Sequence, residues 1–414
     1  MTITIGGCPG LSSTMSVSID ELPQEIIALI VSYLPKGSLP AVLRTARFLR
    51  PHAERLLYRS VDLHAGPTSQ TRTIDFLIKV VRNPRLGSLV SSFYPDVVNY
   101  HMALASTGEF VDLLPYAMRF LPNLKTIALG QGHWIPKCLR WHPTQTPPFQ
   151  LRRLALRTLH IRDSDVPELG RDVLQLLQKQ PDLRHVSLSL PAYSHPCPFP
   201  ETPHVLEKIC PALEVLEGTN SVIRLLLPKR RVKSLLWECD RPYREPLRSP
   251  RSLETDLRLR DDLFTPDLCE AYGRLENLVI YEQMSLLPIL SAFLKSLKTL
   301  LLSVNAFIDS DDPQSVQSEE SLLLGAIGEM ENLEVLAITL MGKSDIRLHH
   351  RAVFSASKKL KHFAFFLGGN GQILEKPVFM ERGADGAIYP VAREVIFDVP
   401  YLHNGWFTFG TASL

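Results

Sequence analysis

The sequence predicts an α/β protein in which a small three-helix unit precedes an irregular solenoid, with a parallel β-sheet on the concave face and helices outside. Three observations predict it. Residues 19–63 carry apolar side chains at helical spacing in three short runs. Beyond them a skeleton L-x-x-[LIV]-x-L recurs with gaps of 19 to 36 residues. Amphipathic helical patterns lie between most of its copies, so the order is strand, helix, strand, helix. A doubly wound sheet shares that order, but one short recurring unit with a constant core favours stacking of repeats.

The expected boundaries are 1–18 for a loose amino-terminal tail, 19–63 for the three-helix unit, 64–400 for the repeat region and 401–414 for a closing cap or tail. The tail, MTITIGGCPGLSSTMSVS, has neither the basic nor the apolar segment of a secretory signal. In the three-helix unit Pro23 suits a first helical turn, and Leu22, Ile26, Ile27, Ile30 and Leu34 recur at spacings that place them along one helical side. Ser38 is the expected N-cap of a second helix bearing Leu39, Val42, Leu43 and Ala46. Pro51 opens a third, with Ala53, Leu56 and Leu57 facing inward. About 40 residues is near the limit for independent folding, and the apolar surface exceeds what three small helices cover. The excess reads either as a cap on the region that follows or as a docking surface for a partner.

After Gly66-Pro67 a helix is expected over Arg72–Arg82 and a strand through Val90 and Phe93. The anchors of the skeleton are then Leu124, Leu151, Leu183, Leu213, Val232, Leu253, Leu275, Leu297, Leu333 and Leu360. Helices are expected over Phe110–Phe120, Val166–Gln178, His204–Ile209, Leu286–Leu294, Glu319–Met330 and Ala352–Ser357, with a last strand at Val395–Val399. The anchors point inward. The alternate positions point to the concave face, where His185, Leu236, Glu238, Val279, Tyr281, Leu301 and Phe366 are the candidate partner-binding residues. Leu236, Val279, Tyr281, Leu301 and Phe366 would make that face an apolar strip, and exposed apolar strips tend to be contact sites. A register slip of one residue would bury them instead.

Composition narrows the function. Lys plus Arg number 45 against 43 for Asp plus Glu, so charge gives no case for nucleic acid as the main ligand. Six scattered cysteines without a CxxC pair read as reduced thiols. With no apolar run near the roughly 20 residues a bilayer demands, a soluble protein of the cytoplasm, the nucleus or both is expected. His195, Cys197, His204 and Cys210 contain zinc-ligand types at a spacing that matches no familiar zinc pattern, so no metal or other cofactor is expected. PKRRVKS at Pro228–Ser234 reads as a solvated turn, and His349-His350 as a solvated helix start. The phosphate-binding loops, the zinc-protease helix and the nucleophile elbow are all missing from the sequence, and no catalytic residue is expected.

The string LPxEIIxxIxSYLPxxSLxAVLRTxRxLR, continued by HAERLLYRSVDL, resembles an F-box of the large families found in mushroom-forming fungi. Leu22-Pro23, Glu25-Ile26, Ile30, Tyr33-Leu34, Leu39, Val42-Leu43 and Arg47-Phe48 fall in register with that motif. The resemblance implies docking on a Skp-type adaptor, and through it a cullin scaffold, by Leu22, Pro23, Ile26, Ile30, Leu34, Leu39, Val42 and Phe48. Many F-boxes have a Cys-Lys-x-Trp segment where this chain has Thr45-Ala46-Arg47-Phe48, which keeps an aromatic but not the indole. LKTLLLSVN resembles a leucine-rich repeat, with Asn305 at the expected end. Together the two resemblances imply a non-enzymatic substrate receptor of a cullin-based ubiquitin ligase, whose repeats bind a target protein. A repeat scaffold that binds an adaptor or partner without ubiquitination is the alternative.

Overall fold

The computed structural model describes residues 2–4, 16–18, 21–63, 69–95, 107–129, 146–157, 166–189, 208–238, 262–281, 286–305, 313–341, 349–369, 372–373 and 378–391. They form a mixed α/β structure whose sheet is mostly parallel and open. The chain divides into two compact units, Met1–Ala155 and Leu156–Leu414.

In the first unit a short antiparallel ribbon, β1 (Thr2–Thr4) with β2 (Ser16–Ser18), comes first. Three helices follow: α1 (Gln24–Ser32), α2 (Leu39–Thr45) and α3 (Arg50–Arg59). Pro23 supplies the start of α1, its carbonyl accepting from the amides of Ile26 and Ile27 at 3.0 and 3.1 Å. Ser38 does not cap α2 as expected. It sits in helical conformation at the end of a 3-10 turn, Lys36–Ser38, and its hydroxyl donates to the Pro35 carbonyl. Ile27, Val31, Leu39 and Ala53 make the small core of the three helices, with Leu22, Val42, Leu43, Phe48, Leu49, Leu56 and Leu57 packed around it.

The chain leaves α3 directly into β3 (Ser60–Asp62) and continues through α4 (Ser69–Arg82), α5 (Pro84–Gly87), β4 (Ser92–Tyr94), α6 (Thr107–Met118) and β5 (Thr126–Leu129). The three strands are parallel, with Val61 beside Phe93 and Phe93 beside Ile127. Gly87 is obligatory where it stands, since a Cβ there would lie 2.1 Å from the Phe120 carbonyl oxygen. β6 (Arg153–Arg157) contains the point at which the division between the units falls.

The second unit has α7 (Val166–Gln178), β7 (His185–Ser189), β8 (Val215–Gly218), α8 (Asn220–Leu226), β9 (Ser234–Trp237), α9 (Pro266–Tyr272) and β10 (Asn277–Tyr281). α10 (Leu287–Leu290), β11 (Thr299–Asn305), α11 (Pro313–Glu329), β12 (Val335–Met341), α12 (His350–Ala356) and β13 (His362–Gly369) follow. β7 through β13 are adjacent and parallel in chain order. The sequence then turns back: β14 (Gln372–Ile373) and β15 (Val378–Arg382) pair antiparallel with β13, and β16 (Ile388–Pro390) with β15.

The anchors explain the stacking. Leu183, Leu213, Val232, Leu275, Leu297, Leu333 and Leu360 are each 1% exposed or less, as are Leu124 and Leu151 in the first unit. Leu253 lies outside the described residues. Within the strands Leu216, Leu235, Leu278, Leu300, Leu336 and Phe363 are aligned side by side and buried. Each copy therefore covers the apolar face of the next, which no single copy does alone.

In the second unit the residue after each described anchor alternates in charge: Arg184, Glu214, Lys233, Glu276, Lys298, Glu334, Lys361. Each of the last six donates its amide to the carbonyl of the one before, across 2.8 to 2.9 Å. Ion pairs tie Arg184 to Glu214 at 3.5 Å, Glu276 to both Lys233 at 3.4 Å and Lys298 at 2.9 Å, and Glu334 to Lys361 at 2.8 Å. A one-strand displacement would put like charges together, so the ladder disfavours mispairing.

Candidate docking surface

The most exposed apolar surface among the described residues is on α1. Apolar residues occupy nearly its whole circumference, so a single packing face cannot cover them. Ile27 and Val31, four residues apart, point into the three-helix core at 1% and 2% exposure. Ile26, Leu29, Ile30 and Tyr33 follow the i, i+3, i+4, i+7 pattern of the opposite side and are 42%, 52%, 37% and 80% exposed. Leu34 is exposed at the helix end, and Pro23 at its start.

Of the residues that the motif resemblance assigns to adaptor docking, Pro23, Ile26, Ile30 and Leu34 thus lie at the surface. Leu22, Val42 and Phe48 are half-buried against the three-helix core. Leu39 departs from its expected role: at 2% exposure it belongs to that core, because the 3-10 turn before α2 directs it inward beside Ile27 and Ala53. Leu29 and Tyr33 were not among the expected docking residues. Their spacing from Ile26 was the signal that finds them.

The position of α1 is held from beneath. Gln24 Oε1 lies 2.8 Å from His52 Nε2 of α3, and Lys36 Nζ donates to the Ser60 carbonyl at 2.6 Å. Glu54 of α3 is buried and accepts from Arg50 Nε at 3.0 Å and from Arg85 Nη2 of α5 at 2.5 Å. Burial alone would raise the Glu54 carboxyl. The hydrogen bonds from Arg85 and Arg50 outweigh it and hold the group below the ordinary glutamate value.

The second expected surface is different from its sequence reading. The register does bring Leu236, Val279, Leu301, Ala337 and Ala364 into one row across β9 to β13. That row is not exposed. Its members are 7% exposed or less and form a second apolar core, against which Tyr281, Phe366, Phe379 and Val391 pack. At its β12–β13 end Ala337 and Ala364 leave room for the rings of Phe366 and Phe379, whose centroids are 5.5 Å apart and edge to face. Leu236, Val279 and Leu301 are accordingly core residues. Tyr281, Glu238 and Phe366, two positions further along their strands, remain half-exposed, as does His185.

Among the described residues no group of three or more His, Cys, Asp and Glu side chains could hold a metal ion. His195, Cys197 and His204 lie outside those residues, as does the strand expected at Val395–Val399. Cys210 is buried, and burial pushes its thiol up to about 12. Arg230, expected in a solvated turn, is buried: its guanidinium donates to the carbonyls of Ile209 at 2.9 Å, Pro228 at 2.9 Å and Leu225 at 3.4 Å. His349 is exposed at the start of α12, as its sequence reading has it.

No protein-family model matches the chain, and no curated protein matches it significantly. No single helix among the described residues is long and apolar enough to cross a membrane.

Proposed function

We propose that the three-helix segment docks a Skp-type adaptor through α1, and that the chain is a non-enzymatic substrate receptor of a cullin-based ubiquitin ligase. The observation that carries this reading is the row Ile26, Leu29, Ile30 and Tyr33, exposed on one side of a helix whose other side is fully packed. Leaving four large apolar side chains in water is unfavourable by about 25 cal/mol for each Å², and a partner's groove removes that cost. Helix-in-groove docking uses this spacing of anchors.

In this reading the leucine-anchored repeats hold a target while ubiquitin transfer occurs on another subunit. The half-exposed ends of the strands, with Glu238, Tyr281 and Phe366, are the candidate target contacts, and the cytoplasm or nucleus is the site of action. The test is co-purification of the full chain with a Skp-type adaptor and a cullin. Loss of both on Ile26→Asp with Ile30→Asp is the expected result. Retention of the adaptor without any cullin points to a scaffold outside ubiquitination.

A further inference from the structure

The three-helix segment holds an unbalanced set of charges as well as an uncovered apolar row. Between residues 21 and 63 stand Lys36, Arg44, Arg47, Arg50, Arg55 and Arg59 against Glu21, Glu25, Glu54 and Asp62. Two of the cations are already engaged: Arg50 with Glu54, and Lys36 with the Ser60 carbonyl. Glu54 is neutralised further by Arg85. Arg44, Arg47, Arg55 and Arg59 are exposed and, among the described residues, make no ion pair. Arg55 and Arg59 are one turn apart on α3, and like charges at that spacing repel.

We infer that the partner covering α1 is a protein whose groove is rimmed by carboxylates, drawn in by these four arginines. The inference rests on the docking reading above and adds the partner's charge and the way it arrives. A segment of about 40 residues is roughly 25 Å across when compact. The Debye length is about 30 Å at 0.01 M salt and about 8 Å at 0.15 M. At low salt all of the segment's charges, six cations against four anions, therefore act on an approaching surface as a net +2 whichever side they occupy, and complementary charge raises the association rate far more than it slows dissociation.

An anionic membrane would also attract arginines and take up an apolar helix face, but α1 is badly composed for it. A helix lying in a membrane surface has Lys and Arg along its polar side. α1 has neither Lys nor Arg along its length. The cations stand on α2, α3 and the turn between them.

The experiment measures association and dissociation of the full chain with a purified Skp-type adaptor between about 0.01 and 0.5 M salt, a range that spans the Debye lengths above. A second arm replaces Arg44, Arg47, Arg55 and Arg59 by Glu, with melting recorded to establish folding. The association rate should fall tenfold or more across that range while dissociation changes little. The charge-reversed chain, repelled by the same rim, should associate most slowly at low salt and speed up as salt rises towards the high-salt rate of the unaltered chain. Binding that is tight but indifferent to salt overturns the acidic rim and leaves the docking reading standing, and so does a reversed chain with an unchanged salt slope. Preferential binding to phosphatidylserine vesicles, abolished by Ile26→Asp, also overturns it in favour of a membrane. No binding of the adaptor at any salt removes the docking reading, and this inference with it.

Discussion

Ile26 and Ile27 are consecutive in the chain and opposite in environment, one 42% exposed and the other 1%. The difference separates docking from folding. Ile27→Ala removes packed atoms from the core of the three helices and should destabilise the first unit by about 2–4 kcal/mol. Ile26→Asp changes a surface position and should alter stability by no more than about 0.5 kcal/mol. Denaturant melts of the two variants check this. Equal losses would mean that α1 buries both sides.

The row through Leu236, Val279 and Leu301 makes the opposite prediction to an exposed contact strip. Leu236→Ala should cost about 2–4 kcal/mol of folding stability, measured by urea unfolding followed through Trp237, which is itself buried and whose indole donates to Asn220 Oδ1 at 2.6 Å. A change in partner affinity with unaltered stability would return the row to the surface.

The charge ladder predicts an interaction visible in salt. Glu276→Lys sets three lysines side by side, replacing two ion pairs by repulsions, with a loss of about 1 kcal/mol in dilute buffer. The loss should shrink in about 1 M salt, where the Debye length is near 3 Å. Adding Lys298→Glu should recover part of it. A thermal melt at two salt concentrations decides, and a loss independent of salt would assign the effect to packing.

Glu54 gives a pH dependence with a definite sign. Its folded carboxyl lies below the ordinary value of 4.5, so its contribution is complete above that pH and is lost as pH falls past 4.5 through the lower folded value. Glu54→Gln should remove this part of the acid sensitivity and cost about 1–2 kcal/mol at neutral pH, because Arg85 and Arg50 lose a charged acceptor but remain largely exposed. Stability profiles of the two proteins from pH 3 to 7 measure the difference. Identical slopes would refute it.

The parts of the fold that were legible are those in which a local pattern and the tertiary environment agree. Anchors such as Leu213 and Leu297 recur with their strands, and α7 begins and ends where its apolar period does, at Val166 and Gln178. Short elements were harder. Ser221 to Leu227 in α8 and just beyond it reads as an apolar run without a period, and TPDLCEAY, which becomes α9, holds its Pro at the first helical position but is too short to stand out. The hairpin of β15 and β16 breaks the leucine skeleton altogether, since it pairs antiparallel.

For the candidate site, periodicity located the helix but put Ile26, Ile27, Ile30 and Leu34 along one side, whereas packing buries Ile27 and leaves the other three exposed. Ile26 and Ile27 are the same residue to a sequence reading. Only packing against Ala53 and Leu39 distinguishes them. Strand alternation likewise put Leu236, Val279 and Leu301 on one face, and the expectation that this face meets water fails because a second apolar core forms there.

The central claim is that α1 docks a protein partner with the side bearing Ile26, Leu29, Ile30 and Tyr33. Its most direct test is the dissociation constant of the full chain with a purified Skp-type adaptor, compared with that of an Ile26→Asp, Ile30→Asp variant whose melting is unchanged. The account predicts measurable binding by the unaltered chain and at least a hundredfold weakening in the variant, about 2.8 kcal/mol at 1.4 kcal/mol per tenfold. Equal affinities of the two folded proteins, or no binding by either, would contradict it.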